Sequence, residues 1–143
     1  GHYAAWNYFQ TVESPENEKW VSDFKAEYGD DRVTNDPMEA AYIMVYLWKQ
    51  AVEQAGSTDI AAVREAAYGQ VFEAPGGTVT MNPNHHISKT VRIGEIREDG
   101  LFDIVSATDG PVDPLPWNQY VPDTKGYACD WSDPDKGGRF KEA

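Results

Sequence analysis

Cysteine is almost missing from this chain. Cys129 stands alone among 143 residues, which excludes an internal disulfide and a multi-cysteine metal site. Basic residues are scarce too. Twelve lysines and arginines face 24 acids, a net charge of −12. Nucleic acid and anionic membrane surfaces are therefore poor partners, because the electrostatic term that drives such binding works against this chain. No apolar run approaches the roughly 20 residues that span a bilayer. The sequence also lacks the motifs of familiar chemistry: no G-x-S-x-G, no H-E-x-x-H and no phosphate loop occurs. The Gly-Gly pairs at 76–77 and 137–138 lack the strand and helix that would give them meaning. Nothing in the residues supports an enzyme. The first residues, Gly1-His2-Tyr3, carry neither an initiating methionine nor a leader pattern, and the expectation is a piece of a longer protein.

What is present is globular. With 41% hydrophobic, 13% aromatic and 25% charged residues, the chain is too apolar for disorder, and its length ordinarily makes one domain. Residues 1–12 read as a strand running into a loop. Ser14-Pro15 opens a helix to about Tyr28, with Trp20, Val21, Phe24 and Tyr28 on one apolar stripe and Gly29 as its stop. Val33 suits a brief strand. A second helix over 37–55 has Asp36 at the N-cap, Pro37 at the first position, Glu39 at capping-box spacing and Gly56 at the end. Met38 to Trp48 is apolar on every side apart from Glu39, which predicts a helix buried on most of its faces.

Ser57-Thr58-Asp59 caps a shorter third helix through Tyr68, with Ile60, Val63 and Ala67 inward. The period then changes. "VFEA", "TVTM" and "KTVRIGEIR" are strand-like, separated by Pro75-Gly76-Gly77 and by "NPNHH". "EDG" at 98–100 marks a hairpin between "TVRIGEI" and "LFDIV". From Ala107 an irregular, proline-rich tail with Trp117, Tyr120, Tyr127 and Trp131 is expected to lie extended, pinned by its rings.

Three candidate sites read best as plain structure. His85-His86 sits in turn composition with no ligand at metal spacing, Cys129 has no local partner to activate it, and "DPDKGG" lacks the acid spacing of a calcium loop. No metal and no cofactor are expected. Two clusters suit recognition better. One is "WNYFQ", where Trp6, Asn7 and Tyr8 present rings and an amide at a strand end. The other is the helix opening at Asn35, Asp36 and Met38, where free backbone N–H groups and a capping carboxylate suit a small polar ligand. For both, core aromatics and an ordinary cap are the competing explanation.

The order and spacing of "GHYAAWNYF", "DPMEAAY", "GSTD", "APGGTVTMNPNHH" and "PWNQYVP" resemble the C-terminal part of a type I periplasmic binding protein. Within that family the likeness is to the branch of urea and short-amide binding proteins of ABC transporters, in the branched-chain amino acid and amide group, and it spans essentially the whole chain. The resemblance implies an α/β fold: part of a protein more than twice this length, with two Rossmann-like lobes joined by a hinge. Residues 1–34 would belong to the second lobe, 35–80 would pack on the first, 81–106 would return to the second as a hairpin, and 107–143 would form the tail. It implies the capture of urea or a short amide between the lobes and delivery to a membrane permease, in the periplasm or another extracytoplasmic space.

Trp6, Asn7, Tyr8, Asn35, Asp36 and Met38 would line the cleft, with much of the polar contact supplied by the remainder of the parent chain. The same scaffold serves binders of branched-chain or other amino acids, and that reading stays open. So does an acidic, non-catalytic module that dimerises through its apolar helix.

Overall fold

Each helix of this chain begins where a short polar side chain closes it. The computed structural model describes residues 1–115, Tyr120, and the backbone at 127–128 and 140–141. Ser14 Oγ accepts the Asn17 N–H at 3.1 Å to start α1 (Pro15–Tyr28), with Pro15 in the first turn. Asn35 Oδ1 accepts the Met38 N–H at 3.1 Å to start α2 (Asp36–Ala55), and Asp59 Oδ1 accepts the Ala62 N–H at 3.0 Å to start α3 (Ile60–Ala67). The cap of α2 is thus Asn35 and not Asp36. Asp36 and Pro37 occupy the first turn, and Glu39 turns inward instead of completing a capping box. Gly56 ends α2 in the left-handed region at φ 60°, where glycine carries no Cβ penalty.

Two three-stranded antiparallel sheets organise residues 1–113. In the first, β1 (Tyr3–Trp6) pairs with β5 (Arg92–Ile96), which pairs with β6 (Phe102–Ala107) through the expected hairpin, closed by Leu101 and Arg97. The register shifts between Ile93 and Gly94, which leaves Val105 as the extra residue of a bulge in β6. In the second, β2 (Val71–Ala74), β3 (Gly77–Met81) and β4 (Ile87–Ser88) form a meander whose first turn is the two residues Pro75-Gly76. Val33 lies in no strand, although Asn35, two residues on, bridges Phe9. In the C-terminal unit, 114–143, β7 (Tyr127–Ala128) pairs with β8 (Phe140–Lys141). Cys129, "DPDKGG", Trp117 and Trp131 lie outside the described residues.

The core sits between α2 and the second sheet. Ile43, Leu47, Ala74, Val79 and Met81 form its buried cluster, with Ala67, Phe72 and Ile87 packed against it. Burying each large aliphatic side chain is worth about 1.5–3 kcal/mol. The buried stripe of α2 is Glu39, Ile43, Leu47 and Ala51, one residue per turn. The helix is therefore not buried on most sides within this chain: Met44, Val45 and Trp48 face outward, Trp48 with 57% of its surface exposed. Ile60 is likewise exposed at 85%, because α3 turns Ala66 inward instead.

A second set of contacts joins the first sheet to the loop after β1. Phe9 is buried and packs on Phe102 with ring centroids 4.7 Å apart. A Cβ at Gly94 would stand 2.8 Å from the Phe9 ring, so this strand position has room only for glycine.

Candidate functional site

The nominated residues divide between two places. Trp6 ends β1 opposite Arg92, half-exposed, with its ring stacked on Phe9 at 6.1 Å. Tyr8 is fully buried, its hydroxyl donating to Asn17 Oδ1 at 2.8 Å and lying 2.8 Å from Thr34 Oγ1. Burial pushes that phenol well above its ordinary range. Trp6, Tyr8 and Asn35 line one cavity of about 180 Å³, together with Phe9, Gln10, Val33 and the hairpin at Leu101.

Asn7, Asp36 and Met38 stand apart from that cavity. Asn7 donates its amide to Thr90 O at 3.0 Å, and Met38 is exposed on the first turn of α2. Asp36 Oδ1 lies 3.3 Å from Lys89 Nζ and so joins a buried polar network that the sequence does not announce. Its centre is Glu39, with no exposed surface. Glu39 Oε1 accepts the Gly76 N–H at 2.6 Å, and Oε2 takes the Lys89 ammonium at 2.6 Å. Arg92 reaches the same turn, donating to Gly76 O at 2.6 Å and to Asn7 O at 2.5 Å. Burial lowers the Arg92 pKa from its usual value, and the nearby Glu39 charge works the other way. A buried carboxylate with an ammonium and a backbone N–H as partners has its desolvation offset, whereas the same group alone would be prohibitive.

A groove of about 440 Å³ opens beside this network between α1, α2 and β2. Its walls are aromatic. Trp20 meets Tyr42 at 5.4 Å, Tyr42 meets Tyr46 at 4.7 Å, and Tyr46 stacks on Phe72 at 4.8 Å with planes 8° apart. Trp20 also takes the edge of Tyr8 at 5.4 Å, which ties the groove to the buried tyrosine. Glu16, Asp23 and Glu73 stand on the rim, and the rim's Lys19 is held by Asp23 at 2.6 Å. Burial, reinforced by Tyr46, pushes the Tyr42 phenol up to about 12. Concave, ring-lined grooves with a few polar groups are where small ligands bind. By pattern alone, Trp20 and Phe24 read as an ordinary apolar stripe. The signal that would have found the groove is that α1 carries Trp20 and Phe24, and α2 carries Tyr42 and Tyr46, each pair four residues apart and so on one face.

His85 and His86 lie in the expected turn, where His85 adopts φ 66° and meets the Tyr68 hydroxyl at 3.0 Å. Among the described residues no group of three or more His, Cys, Asp or Glu is placed to hold a metal. No helix there is long and apolar enough to cross a membrane.

Residues 1–123 match the family of the periplasmic binding protein domain. The chain belongs to the periplasmic binding protein family. Its fold agrees with a solute binding protein of an ABC transporter from Rhodopseudomonas palustris BisB5, solved with 3,4-dihydroxybenzoic acid. That likeness has a TM-score of 0.70 at 23% identity and covers 80% of this chain and 32% of the other. A Leu/Ile/Val-binding protein homologue from Brucella abortus is 27% identical over 106 residues, 71% of this chain and 27% of that protein. A Geobacillus stearothermophilus protein named limonene hydroxylase is 36% identical over 116 residues, 81% of this chain but 21% of its own length. The chain thus spans between a fifth and a third of the length of these relatives. The α/β architecture expected from sequence, part of a two-lobed binding-protein fold, is the one found.

Proposed function

We propose that this family member is part of the solute-binding component of an ABC importer, working outside the cytoplasm and handing its solute to a membrane permease. We further propose that the solute is urea or a short amide, and that the protein is not an enzyme. The observation that carries the ligand reading is the aromatic groove with its acidic rim. Glu16, Asp23 and Glu73 would repel an anionic solute on this side, and the rim's lysine is already engaged. A neutral solute rich in N–H donors suits carboxylate and phenol acceptors set among rings, and closure of a second wall over it would exclude water.

Trp6, Asn7, Tyr8, Asn35, Asp36 and Met38 remain the residues proposed to border the cleft; none of them lines the aromatic groove, whose proposed ligand contacts are Trp20 and Tyr42. The division into lobes is supported by the pairing of β1 with β5 and of β5 with β6, apart from the sheet packed on α2, while α1, within 1–34, packs against α2. β4 still pairs with β3, so the return runs through residues 89–91. A second reading, capture of branched-chain or other amino acids, is favoured by the name of the Brucella relative.

The test is calorimetric titration of the full-length gene product with urea, acetamide and leucine. Saturable heat with urea or acetamide alone is the expected result. Heat with leucine alone selects the second reading.

A further inference from the structure

We propose that Glu39 is a positioning residue that fixes the Pro75-Gly76 turn and, through it, one wall of the aromatic groove; this rests on the reading of that groove as the ligand wall. The turn is held from three elements at once. Ser14 Oγ, at the start of α1, donates to Pro75 O at 3.0 Å. Glu39, on α2, accepts the Gly76 N–H, and Arg92, on β5, donates to Gly76 O. Pro75, Glu73 and Phe72 line the groove, so the segment gripped on one side presents the ligand wall on the other. Arg92 also holds Asn7 O, so one guanidinium ties the end of β1 to the same turn.

The fit leaves no slack. A Cβ at Gly76 would stand 2.5 Å from Glu39 Oε1, so the carboxylate occupies the space any other residue there would need. A two-residue hairpin turn does not need an outside acceptor for its own N–H when it can face water. Here the turn is buried, and an ion-paired carboxylate is carried into the interior to receive that N–H. An apolar pair would avoid the cost of burying Glu39 and Lys89, which accords with a role in fixing the turn.

The test separates the two roles in the full-length gene product. Glu39→Leu with Lys89→Met removes both charges and the acceptor; Glu39→Gln with Lys89→Met removes both charges but keeps an acceptor for Gly76. Hydrogen exchange over residues 72–77 without ligand is expected to run about tenfold faster in the first pair and as in the wild type in the second. Equal exchange in the two pairs overturns the proposal. Should the first pair fail to fold, Gly76→Ala carries the same expectation by forcing Glu39 off the turn.

Affinity for urea and leucine is measured in parallel, with Tyr42→Ala as the groove control. Loss of affinity by about tenfold in the first pair, restored in the second, supports positioning of the wall. A changed exchange rate with unchanged affinity, where Tyr42→Ala does weaken binding, overturns the positioning role. If Tyr42→Ala leaves binding intact, the groove reading has failed, and the exchange contrast still decides whether Glu39 fixes the turn.

Discussion

Tyr8 donates its hydroxyl to Asn17 at 2.8 Å, and Asn17 in turn donates its amide to the carbonyls of Gln10 and Val12. A fully buried ring thereby joins the end of β1, the start of α1 and, through Thr34, the approach to α2. Tyr8→Phe keeps the ring but leaves Asn17 Oδ1 and Thr34 without the phenol. The expected loss is about 1–3 kcal/mol, read from guanidinium unfolding. No loss would show that water replaces the phenol oxygen.

Gly94 is constrained by the ring above it. Gly94→Ala puts a methyl 2.8 Å from Phe9 and 3.0 Å from the Phe102 Cβ, between a buried ring and a neighbouring strand. Overpacking of this kind costs about 1–3 kcal/mol. The pair Gly94→Ala with Phe9→Leu should recover part of that loss in the same unfolding measurement, because the shorter side chain vacates the space.

These constraints show which parts of the fold are written locally. Ser14-Pro15 and Gly29 bound α1, and Glu98-Asp99-Gly100 turns the β5–β6 hairpin, because cap and turn chemistry act within a few residues. Asn35 and Asp36 are equally good caps and Pro37 is tolerated at either of the next two positions, so local chemistry does not separate a cap at Asp36 from the one found at Asn35. Glu39 sits at the spacing of a capping box, and only the fold reveals that its partners are Gly76 and Lys89, 37 and 50 residues away. A two-turn helix has too few residues to fix the phase of its stripe, so Ile60 suits the inner face by pattern and lies outside in the fold. The apolar residues on every face of α2 hid which stripe is buried. For the site, the rings of Trp20 and Tyr42 were visible, but their meeting across two helices depends on packing that no short window of sequence encodes.

Asn35 supplies a simpler check on the α2 boundary. Asn35→Ala removes the acceptor for the Met38 N–H and should cost about 1 kcal/mol, whereas Asn35→Asp keeps an acceptor there and should cost less. Equal losses in thermal unfolding would mean that the Asn35 side chain does not act as the cap.

The groove has a pH signature. In the folded state burial raises the Tyr42 phenol to about 12 from its ordinary 10, so the unfolded chain releases that proton first. The stability due to this shift is fully present below pH 10 and is lost as pH rises towards 12. Melting temperature should fall across that window, and Tyr42→Phe should flatten the fall. An identical fall in the variant would mean that Tyr42 ionises as freely folded as unfolded.

The most direct test of the central claim is a thermal shift of the full-length gene product against urea, acetamide, formamide and leucine. A ligand that binds only the folded state adds about 2.7 kcal/mol of stability at a hundredfold excess over its dissociation constant. Melting temperature is expected to rise with urea or a short amide, and the rise to disappear in Tyr42→Ala. A rise with leucine and none with the amides would contradict it.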